Sequence, residues 1–181
     1  MDVLDAMETA RAWRDYADDP VTDDDIEFLI DHARLAGSGH NRQPWTFVAL
    51  RERERIDTVA SFGEYTTPLR RAPVGLVLLV DRNDSERRAE HNVLDCGRAT
   101  QNLQLAAVER GIGICPQAIF DRDAAASFLD VPETKRVLIA FAVGYPAEED
   151  DETIEGVSKA EEFHSLGREP VEETLHWERH R

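Results

Sequence analysis

The stretch GSGHNRQPWTFVAL, residues 37–50, joins a polar turn containing two glycines to an apolar run. The run TFVAL, residues 46–50, is rich in β-branched and aromatic residues and predicts a buried strand. The polar part before it could be a plain turn, a cradle for a phosphate group or the edge of a cofactor pocket. The neighbouring elements and the other candidate ligands of the chain decide between these three.

Two helices are predicted before this stretch. Thr22 begins the second helix as its N-cap, and the three aspartates at 23–25 favour its positive N-terminal end. The apolar faces expected to turn towards the core are Val3, Ala6, Met7 and Ala10 in the first helix and Ile26, Leu29, Ile30 and Ala33 in the second.

Strands and helices alternate after the opening stretch. A short helix is expected around Ile56, followed by a loop at residues 61–73. The run VGLVLLV, residues 74–80, is apolar enough for a strand that is covered on both faces. A long helix should then begin near Ser85 and close at Gly111, because glycine commonly ends a helix.

The third strand is predicted at residues 112–120 and the fourth at 136–144, with a short helix at 121–131 between them. Pro116 lies inside the third strand and lacks a backbone N–H, so the strand pairing should be irregular there. These elements predict the α+β or α/β class, with helices packed against a small mixed sheet.

The length of 181 residues is enough to bury a sizeable core, and we expect a single domain over residues 1–181. From residue 145 onwards the sequence becomes a polar extension without a convincing apolar period. Such a segment packs poorly on its own domain. We therefore expect residues 145–181 to form an arm on a partner subunit.

The net charge of −16 arises from 37 acidic and 21 basic residues. It excludes binding to nucleic acid and disfavours an anionic membrane surface, because few cations are present to neutralise phosphates. The acidic residues are spread along the whole chain, as on the surface of a salt-adapted protein.

The two cysteines, Cys96 and Cys115, are too few for a disulfide framework and fit a reducing cytoplasm. The first residues lack the basic start and apolar centre of a signal peptide. The longest apolar run is far too short to span a bilayer. The expectation is a cytoplasmic protein without a membrane partner.

Several familiar sites are incomplete in this sequence. GSGHNR begins like a dinucleotide-binding fingerprint, but Arg42 stands at the third glycine and a strand follows instead of a helix. GIGICP fails at the same point, with Pro116 in that position. His91 and Asp95 are four residues apart on the predicted long helix, but no further metal-ligand motif accompanies them. We interpret His91 as a surface histidine near an acid.

Three arginines are candidate phosphate ligands. Arg11 and Arg14 are three residues apart at the end of the first helix, and they would share one face if that helix continued. Arg168 lies in the GREP segment near the C-terminus. Guanidinium groups hold phosphates by forked hydrogen bonds, but arginines in so acidic a chain also form surface ion pairs. The residues alone leave both interpretations open.

The opening stretch adds two amide side chains and a hydroxyl. Asn41 and Gln43 are two residues apart, so in an extended segment both would point to the same side. Their donors and acceptors suit the edge of a flavin ring or a base, and Ser38 can bond a phosphate or a ribityl hydroxyl. The alternative is a hydrogen-bonded loop without a ligand.

Four segments in order resemble the FMN-dependent nitroreductase family, from about Arg11 to Trp177. RAWRDYADDPV resembles the family's opening R-x-S-x-R-x-F/Y segment, and GSGHNRQPWTFV resembles its P-S-x-x-N-x-Q-P-W segment. DCGRATQNLQLAAVERGIGICP is similar to its long helix and the turn that follows. VLIAFAVGYPAEE and GREPVEETLHWER resemble its closing strand and its C-terminal arm.

The resemblance implies an α+β fold with a central, mainly antiparallel sheet flanked by helices, built as an intertwined homodimer. It implies FMN at the dimer interface, contacted by both subunits, with NADH or NADPH as electron donor. A nitro compound, a quinone or a similar small molecule would be the acceptor. The flavin would carry the redox chemistry, so neither a catalytic acid or base nor a metal is expected. The alternatives are a flavin-binding protein without turnover, or a member specialised for reductive dehalogenation or flavin breakdown.

The motif matches also imply the cofactor-binding residues. These are Arg11, Arg14 and Arg168 for the phosphate, Ser38, Asn41 and Gln43 for the ring and ribityl chain, and Pro116 and Gln117 where the family's backbone approaches the flavin. Ala12 stands where the family has a serine, and Gly37 stands where it often has a proline. Phosphate binding would therefore depend more on Arg14 and Arg168. The segment 63–72 is short for a lid over the substrate.

Overall fold

The computed structural model describes residues 1–147 and 168–180. The chain divides into two compact units, Met1–Asp150 and Asp151–Arg181. Most of the extension predicted from residue 145 onwards, namely 148–167, lies outside the described residues.

Four strands of the first unit form one sheet in the order β1-β2-β4-β3. The strands are β1 (Trp45–Leu50), β2 (Val74–Asp81), β3 (Gly113–Gln117) and β4 (Lys135–Gly144). All pairings between these four strands are antiparallel. The mainly antiparallel sheet implied by the resemblance is therefore confirmed, and the mixed sheet suggested by the element pattern alone is wrong.

The helices of the first unit are α1 (Val3–Thr9), α2 (Asp23–Ala33), α3 (Arg53–Ser61), α4 (Thr67–Arg71), α5 (Glu86–Glu109) and α6 (Arg122–Phe128). The predicted second helix, long helix and two short helices are confirmed. Helix α4 lies within the segment predicted as a loop. Pro68 occupies its first turn, where a missing N–H costs nothing, and the fully buried Leu69 anchors it to the core.

Strand β2 carries the core on both faces of the sheet. Leu76 and Leu78 pack in the cluster that includes α2 and α5, whereas Val77 and Leu79 pack in the cluster that includes α3, α4 and α6. This division follows from the two-residue period of a strand. All four side chains are at most 3% exposed, and burying each contributes about 1.5–3 kcal/mol. The strand predicted to be covered on both faces is confirmed.

A buried carboxylate ties the start of α2 to the end of α5. The Thr22 hydroxyl accepts the Asp25 backbone N–H at 3.1 Å, and the Asp25 carboxylate accepts the Thr22 N–H at 3.0 Å. The same carboxylate accepts hydrogen bonds from Arg110 at 3.0 Å and from the Tyr145 hydroxyl at 3.3 Å. Burial alone would raise the pKa of Asp25, but these hydrogen bonds and the Arg110 charge hold it below its ordinary value. Helix α5 then closes at Gly111, whose φ is +67°.

Two predictions about the strands are wrong. Strand β1 lies at an edge of the sheet and is half-buried over most of its length, rather than buried. Pro116 pairs in register with Phe141, because β3 is also an edge strand, where a proline can turn its missing N–H away from the ladder. The register shift lies instead between Leu78 and Leu79 in the pairing of β2 with β4.

Helix α1, like strand β1, is less buried than predicted. Of its expected apolar face only Ala6 is buried, whereas Val3 and Met7 are 61% and 53% exposed. Leu4 is 67% exposed as well. The helix therefore presents an apolar surface that the first unit does not cover.

The second unit, described over residues 168–180, contains one short helix, α7 (Val171–Thr174). Trp177 is 77% exposed, and the rings of His176 and His180 lie 4.3 Å apart. Across the described parts of both units, none of the helices has the length and apolar character that a membrane span requires.

Candidate functional site

The turn between α2 and β1 holds three residues in the left-handed region of the backbone. The φ angles are 55° for His40 and Asn41 and 50° for Gln43. Residues other than glycine rarely adopt this conformation, which costs roughly 1–3 kcal/mol each. Such strain persists only where the surrounding contacts enforce it, and it is typical of ligand-binding sites.

Hydrogen bonds within the turn bring the predicted polar side chains together. The Ser38 hydroxyl accepts the Gln43 backbone N–H at 2.9 Å, and the Gln43 amide donates to Asn41 Oδ1 at 3.3 Å. The prediction of an extended segment is wrong, because residues 39–41 form a 3-10 turn. The two amides still meet, since the left-handed residues fold the chain back, and both remain exposed. We name Ser38, Asn41 and Gln43 the loop set.

A side chain of α5 anchors this turn. Asp95, only 3% exposed, accepts the Gly39 backbone N–H at 2.9 Å. Arg98 donates to Asp95 at 3.4 Å and to the Gly37 carbonyl at 3.5 Å. His91 is exposed as expected, but its acidic neighbour is buried. Asp95 and Gly39 are 56 positions apart, so no local pattern in the sequence could have signalled this contact.

Arg11 and Arg14 do not share a helical face. Helix α1 ends at Thr9, and the segment after it runs beside β3, to whose backbone the Trp13 N–H donates at 3.2 Å. Off the helix, a spacing of three no longer aligns two side chains. The Arg11 guanidinium lies 3.5 Å from the centroid of the Trp13 ring, whereas Arg14 is half-buried and donates to the Ala12 carbonyl at 3.4 Å.

Two glycines make room for the aromatic rings of this segment. A Cβ atom on Gly113 would lie 2.7 Å from the Trp13 side chain, and one on Gly144 would lie 2.7 Å from the Tyr16 ring. The Tyr16 hydroxyl donates to the Trp13 carbonyl at 2.7 Å. Close packing on the ends of β3 and β4 therefore fixes where the segment and its arginines lie.

The end of β3 carries a buried polar side chain. Gln117, 4% exposed, donates through its amide nitrogen to the Pro116 carbonyl at 2.9 Å and to Cys115 Sγ at 3.1 Å. Within the part of the chain that the structure describes, its Oε1 atom has no hydrogen-bond partner. An unpaired buried acceptor costs about 1–3 kcal/mol, so a ligand that donates a hydrogen bond would be favoured here. We name Arg11, Arg14, Pro116 and Gln117 the β3-edge set.

The loop set and the arginines of the β3-edge set lie at opposite corners of the sheet. The loop set precedes β1, so three strand spacings of about 4.8 Å, roughly 14 Å, separate it from β3. Along the strand direction, Trp45 at the start of β1 lies level with Val80 of β2 and Arg136 of β4. Ile114 of β3 lies level with Val143 of β4. Arg136 and Val143 are seven residues apart on β4, which separates the two groups by a further distance of roughly 24 Å along the strands. One chain therefore does not bring these two groups together.

Arg168, the remaining predicted site residue, belongs to the second unit. Its side chain is exposed, and it lies three residues before α7. In the first unit, the segment predicted as a lid begins with Gly63, which forms a bridge to Ile119. Tyr65 and Phe120 are 69% and 64% exposed, and they form aromatic candidates for a contact with substrate.

The thiols offer no activated nucleophile. Cys96 is fully buried, and burial together with the nearby Asp81 and Asp95 raises its pKa to about 12. Cys115 is a buried residue of β3, in agreement with its interpretation as a strand residue, and neither cysteine forms a disulfide.

Comparison with known proteins gives consistent similarities. The family model described as "Nitroreductase family" matches residues 7–67 and 63–145. A protein of Archaeoglobus fulgidus named "Putative NADH dehydrogenase/NAD(P)H nitroreductase" is 33% identical over 147 residues, which are 79% of this chain and 84% of that protein. A Thermus thermophilus protein named "NADH dehydrogenase" is 28% identical over 185 residues, with 81% of this chain and 89% of its own length covered.

A solved structure extends the similarity to the whole fold. It comes from Desulfovibrio desulfuricans and is described as a "putative nitroreductase in complex with fmn". It is 27% identical to this chain, with a TM-score of 0.75, and the match covers 99% of this chain and 98% of the other.

Proposed function

The chain belongs to the nitroreductase family, and from this membership we propose that it is an FMN-dependent oxidoreductase. It takes hydride from NADH or NADPH and reduces a nitro compound, a quinone or a similar small acceptor. The observation that carries the proposal is the strained turn that holds the loop set, because its serine and amides occupy the matching positions of the family motif. The D. desulfuricans protein, described with FMN bound, supports the choice of cofactor.

The residues present fit a flavin. The amides of Asn41 and Gln43 offer both donors and acceptors, as the edge of the flavin ring requires. The unpaired Oε1 of Gln117 is an acceptor that a ring N–H would satisfy. Arg14 of the first unit supplies a guanidinium group that can hold a phosphate by charge-assisted hydrogen bonds, and Arg168 of the second unit is a separate candidate with the same chemistry.

When bound, FMN supplies the acceptance of hydride and the delivery of electrons, which no side chain of this site can perform. The loop set would orient the ring, and Arg14 would hold the phosphate end. Tyr65 and Phe120 can stack on an aromatic substrate and exclude water from it, since both rings are exposed. The contribution of the protein to the reaction is orientation and electrostatics.

We also propose that the active form is a homodimer, with the loop set of one subunit and the β3-edge set of its partner at each flavin. The separation of the loop set from the arginines of the β3-edge set supports this arrangement, because a single small ligand does not span opposite corners of one chain. The exposed apolar residues of α1 give the chain a surface that is unfavourable in water unless another molecule covers it. Analytical ultracentrifugation at micromolar protein should give the mass of two chains.

The test of the cofactor is spectroscopic. Purified protein incubated with FMN and freed of excess ligand should keep an oxidised flavin band at about 450 nm in stoichiometric amount. Protein without such a band would overturn the proposed function. A protein with the substitution Val59→Ala, whose side chain lies in the core and belongs to neither set, is the control for nonspecific loss of binding.

Turnover separates an enzyme from a flavin-binding protein without turnover. In stopped flow under anaerobic conditions, NADH or NADPH should bleach the bound flavin, and a nitroarene or a quinone should restore its colour. Bleaching by neither nucleotide would favour the binding protein. Halophenols and oxygen as the only acceptors, each followed by product analysis, test the members specialised for dehalogenation and for flavin breakdown.

A further inference from the structure

Asp95 is the side chain through which α5 reaches the loop set. It is 3% exposed, although carboxylates are seldom so buried unless they are paired. Its Oδ2 atom accepts the Gly39 N–H at 2.9 Å, and its Oδ1 atom accepts from Arg98 at 3.4 Å. A hydrogen bond from a backbone N–H to an ionised carboxylate is roughly twice as strong as a neutral one, so this contact restrains the turn firmly.

The contact acts at the start of the strained residues. Gly39 directly precedes His40 and Asn41, the first two residues with left-handed backbone. From within the turn, the Ser38 hydroxyl holds the Gln43 N–H at 2.9 Å. Both partners of the Ser38 hydrogen bond belong to the turn, so this bond does not fix the turn relative to the rest of the protein. The Asp95 hydrogen bond, in contrast, fixes the turn relative to the body of the protein.

Helix α5 is a rigid base for such a restraint. It runs for 24 residues, and the neighbours of Asp95 on its buried side, Cys96 and Ala99, are fully buried in the core. The turn, in contrast, has an exposed surface at His40, Asn41 and Gln43. A short, strained and exposed turn keeps one conformation only if a rigid element enforces it.

We propose that Asp95 is a positioning residue for the cofactor site. It acts through the Gly39 backbone and holds the loop set, before any ligand arrives, in the conformation that binds the flavin ring. The inference rests on the proposed function, because it concerns the turn that would contact FMN. Preorganisation of this kind raises affinity, since the cost of ordering the turn is met during folding and not during binding.

The first test measures FMN affinity by quenching of flavin fluorescence. Asp95→Ala should raise the Kd roughly tenfold, and Asp95→Asn, which keeps an oxygen for the Gly39 N–H but loses the charge, should raise it by a smaller factor. Val59→Ala lowers stability through a core cavity and serves as the matched control, with an unchanged Kd. A purely structural role for Asp95 would lower the urea midpoint without changing the Kd, and that result would overturn the inference.

The second test needs no flavin. Arg42 is an exposed trypsin site inside the turn, and cleavage after it can be followed by mass spectrometry in native buffer. Asp95→Ala should be cut there several-fold faster than the wild-type chain, with Val59→Ala close to wild type. Equal rates in all three proteins would contradict the restraint. If the wild-type chain binds no FMN, the proposed function fails, while the cleavage rates still decide whether Asp95 holds the turn.

Discussion

The replacement Asp25→Asn tests the buried carboxylate that joins α2, α5 and the end of β4. Its Oδ2 atom accepts from the Thr22 N–H at 3.0 Å, the Thr22 hydroxyl at 2.7 Å and the Tyr145 hydroxyl at 3.3 Å, while Oδ1 accepts from Arg110 at 3.0 Å. An asparagine has one acceptor atom where the aspartate has two. Its NH₂ group must therefore face either the three donors of Thr22 and Tyr145 or the Arg110 guanidinium.

The less harmful orientation keeps the oxygen towards Thr22 and places the NH₂ group against Arg110. It removes one charge-assisted hydrogen bond, worth about 1.5–3 kcal/mol, and weakens the other three because the charge is gone. We expect the free energy of unfolding to fall by about 2–3 kcal/mol in total. Asp24→Asn is the matched control: Asp24 is exposed on the same helical turn, so only a helix-dipole contribution of about 0.3–1 kcal/mol is lost.

The assay is urea unfolding followed by circular dichroism from pH 7 downwards. Since the folded-state pKa of Asp25 lies below its ordinary value of 3.8, its stabilisation is complete above that value and is lost as the pH falls through the folded-state pKa. The stability difference between wild type and Asp25→Asn should thus be constant near neutrality and shrink below about pH 4. Equal losses for the Asp24 and Asp25 variants, or a difference that does not shrink in acid, would refute this account.

Three further outcomes are expected. Gly144→Ala should lower the free energy of unfolding by about 1–3 kcal/mol, because its Cβ atom would lie 2.7 Å from the Tyr16 ring. Gly97→Ala, with open space around it inside α5, should raise the free energy of unfolding by about 0.5–1 kcal/mol. Thermal unfolding that shows a loss of stability for both variants would contradict the packing described. The Cys96 thiol is fully buried, and its pKa is raised to about 12, so it should resist Ellman's reagent at pH 8 until urea unfolds the chain. Rapid labelling of Cys96 in the native protein, mapped by mass spectrometry, would contradict this prediction and show that the helix opens. Arg14→Ala should weaken FMN binding by about 1–3 kcal/mol in isothermal titration, and an unchanged affinity would remove Arg14 from the proposed phosphate site.

Features with a local physical cause could be predicted from the sequence. Strand β2 is recognisable because its continuous apolar run suits a strand buried on both faces. The Thr22 cap and the left-handed Gly111 mark helix ends because each satisfies backbone groups a few residues away. The family resemblance added that the sheet is mainly antiparallel, which no local pattern specifies.

Features that depend on distant contacts could not be predicted. The run of left-handed residues around Asn41 conflicts with the intrinsic preferences of those residues, and Asp95, far along the chain, restrains it. The regular pairing of Pro116 depends on β3 lying at the edge of the sheet, which only the tertiary order determines. Arg11 and Arg14 would share a face only if the first helix continued, and that helix stops two residues before Arg11.

The placement of the loop set and Arg14 at opposite corners of the sheet has a genetic consequence in the proposed homodimer. A chain altered at Arg14 alone, when paired with a normal chain, damages one of the two sites and leaves the other built entirely from normal parts. A chain altered at both Arg14 and Asn41 contributes a faulty half to each site of a mixed dimer. With equal amounts of both chains and random pairing, an allele of the first kind should therefore leave about half of all sites normal, whereas an allele of the second kind should leave about a quarter.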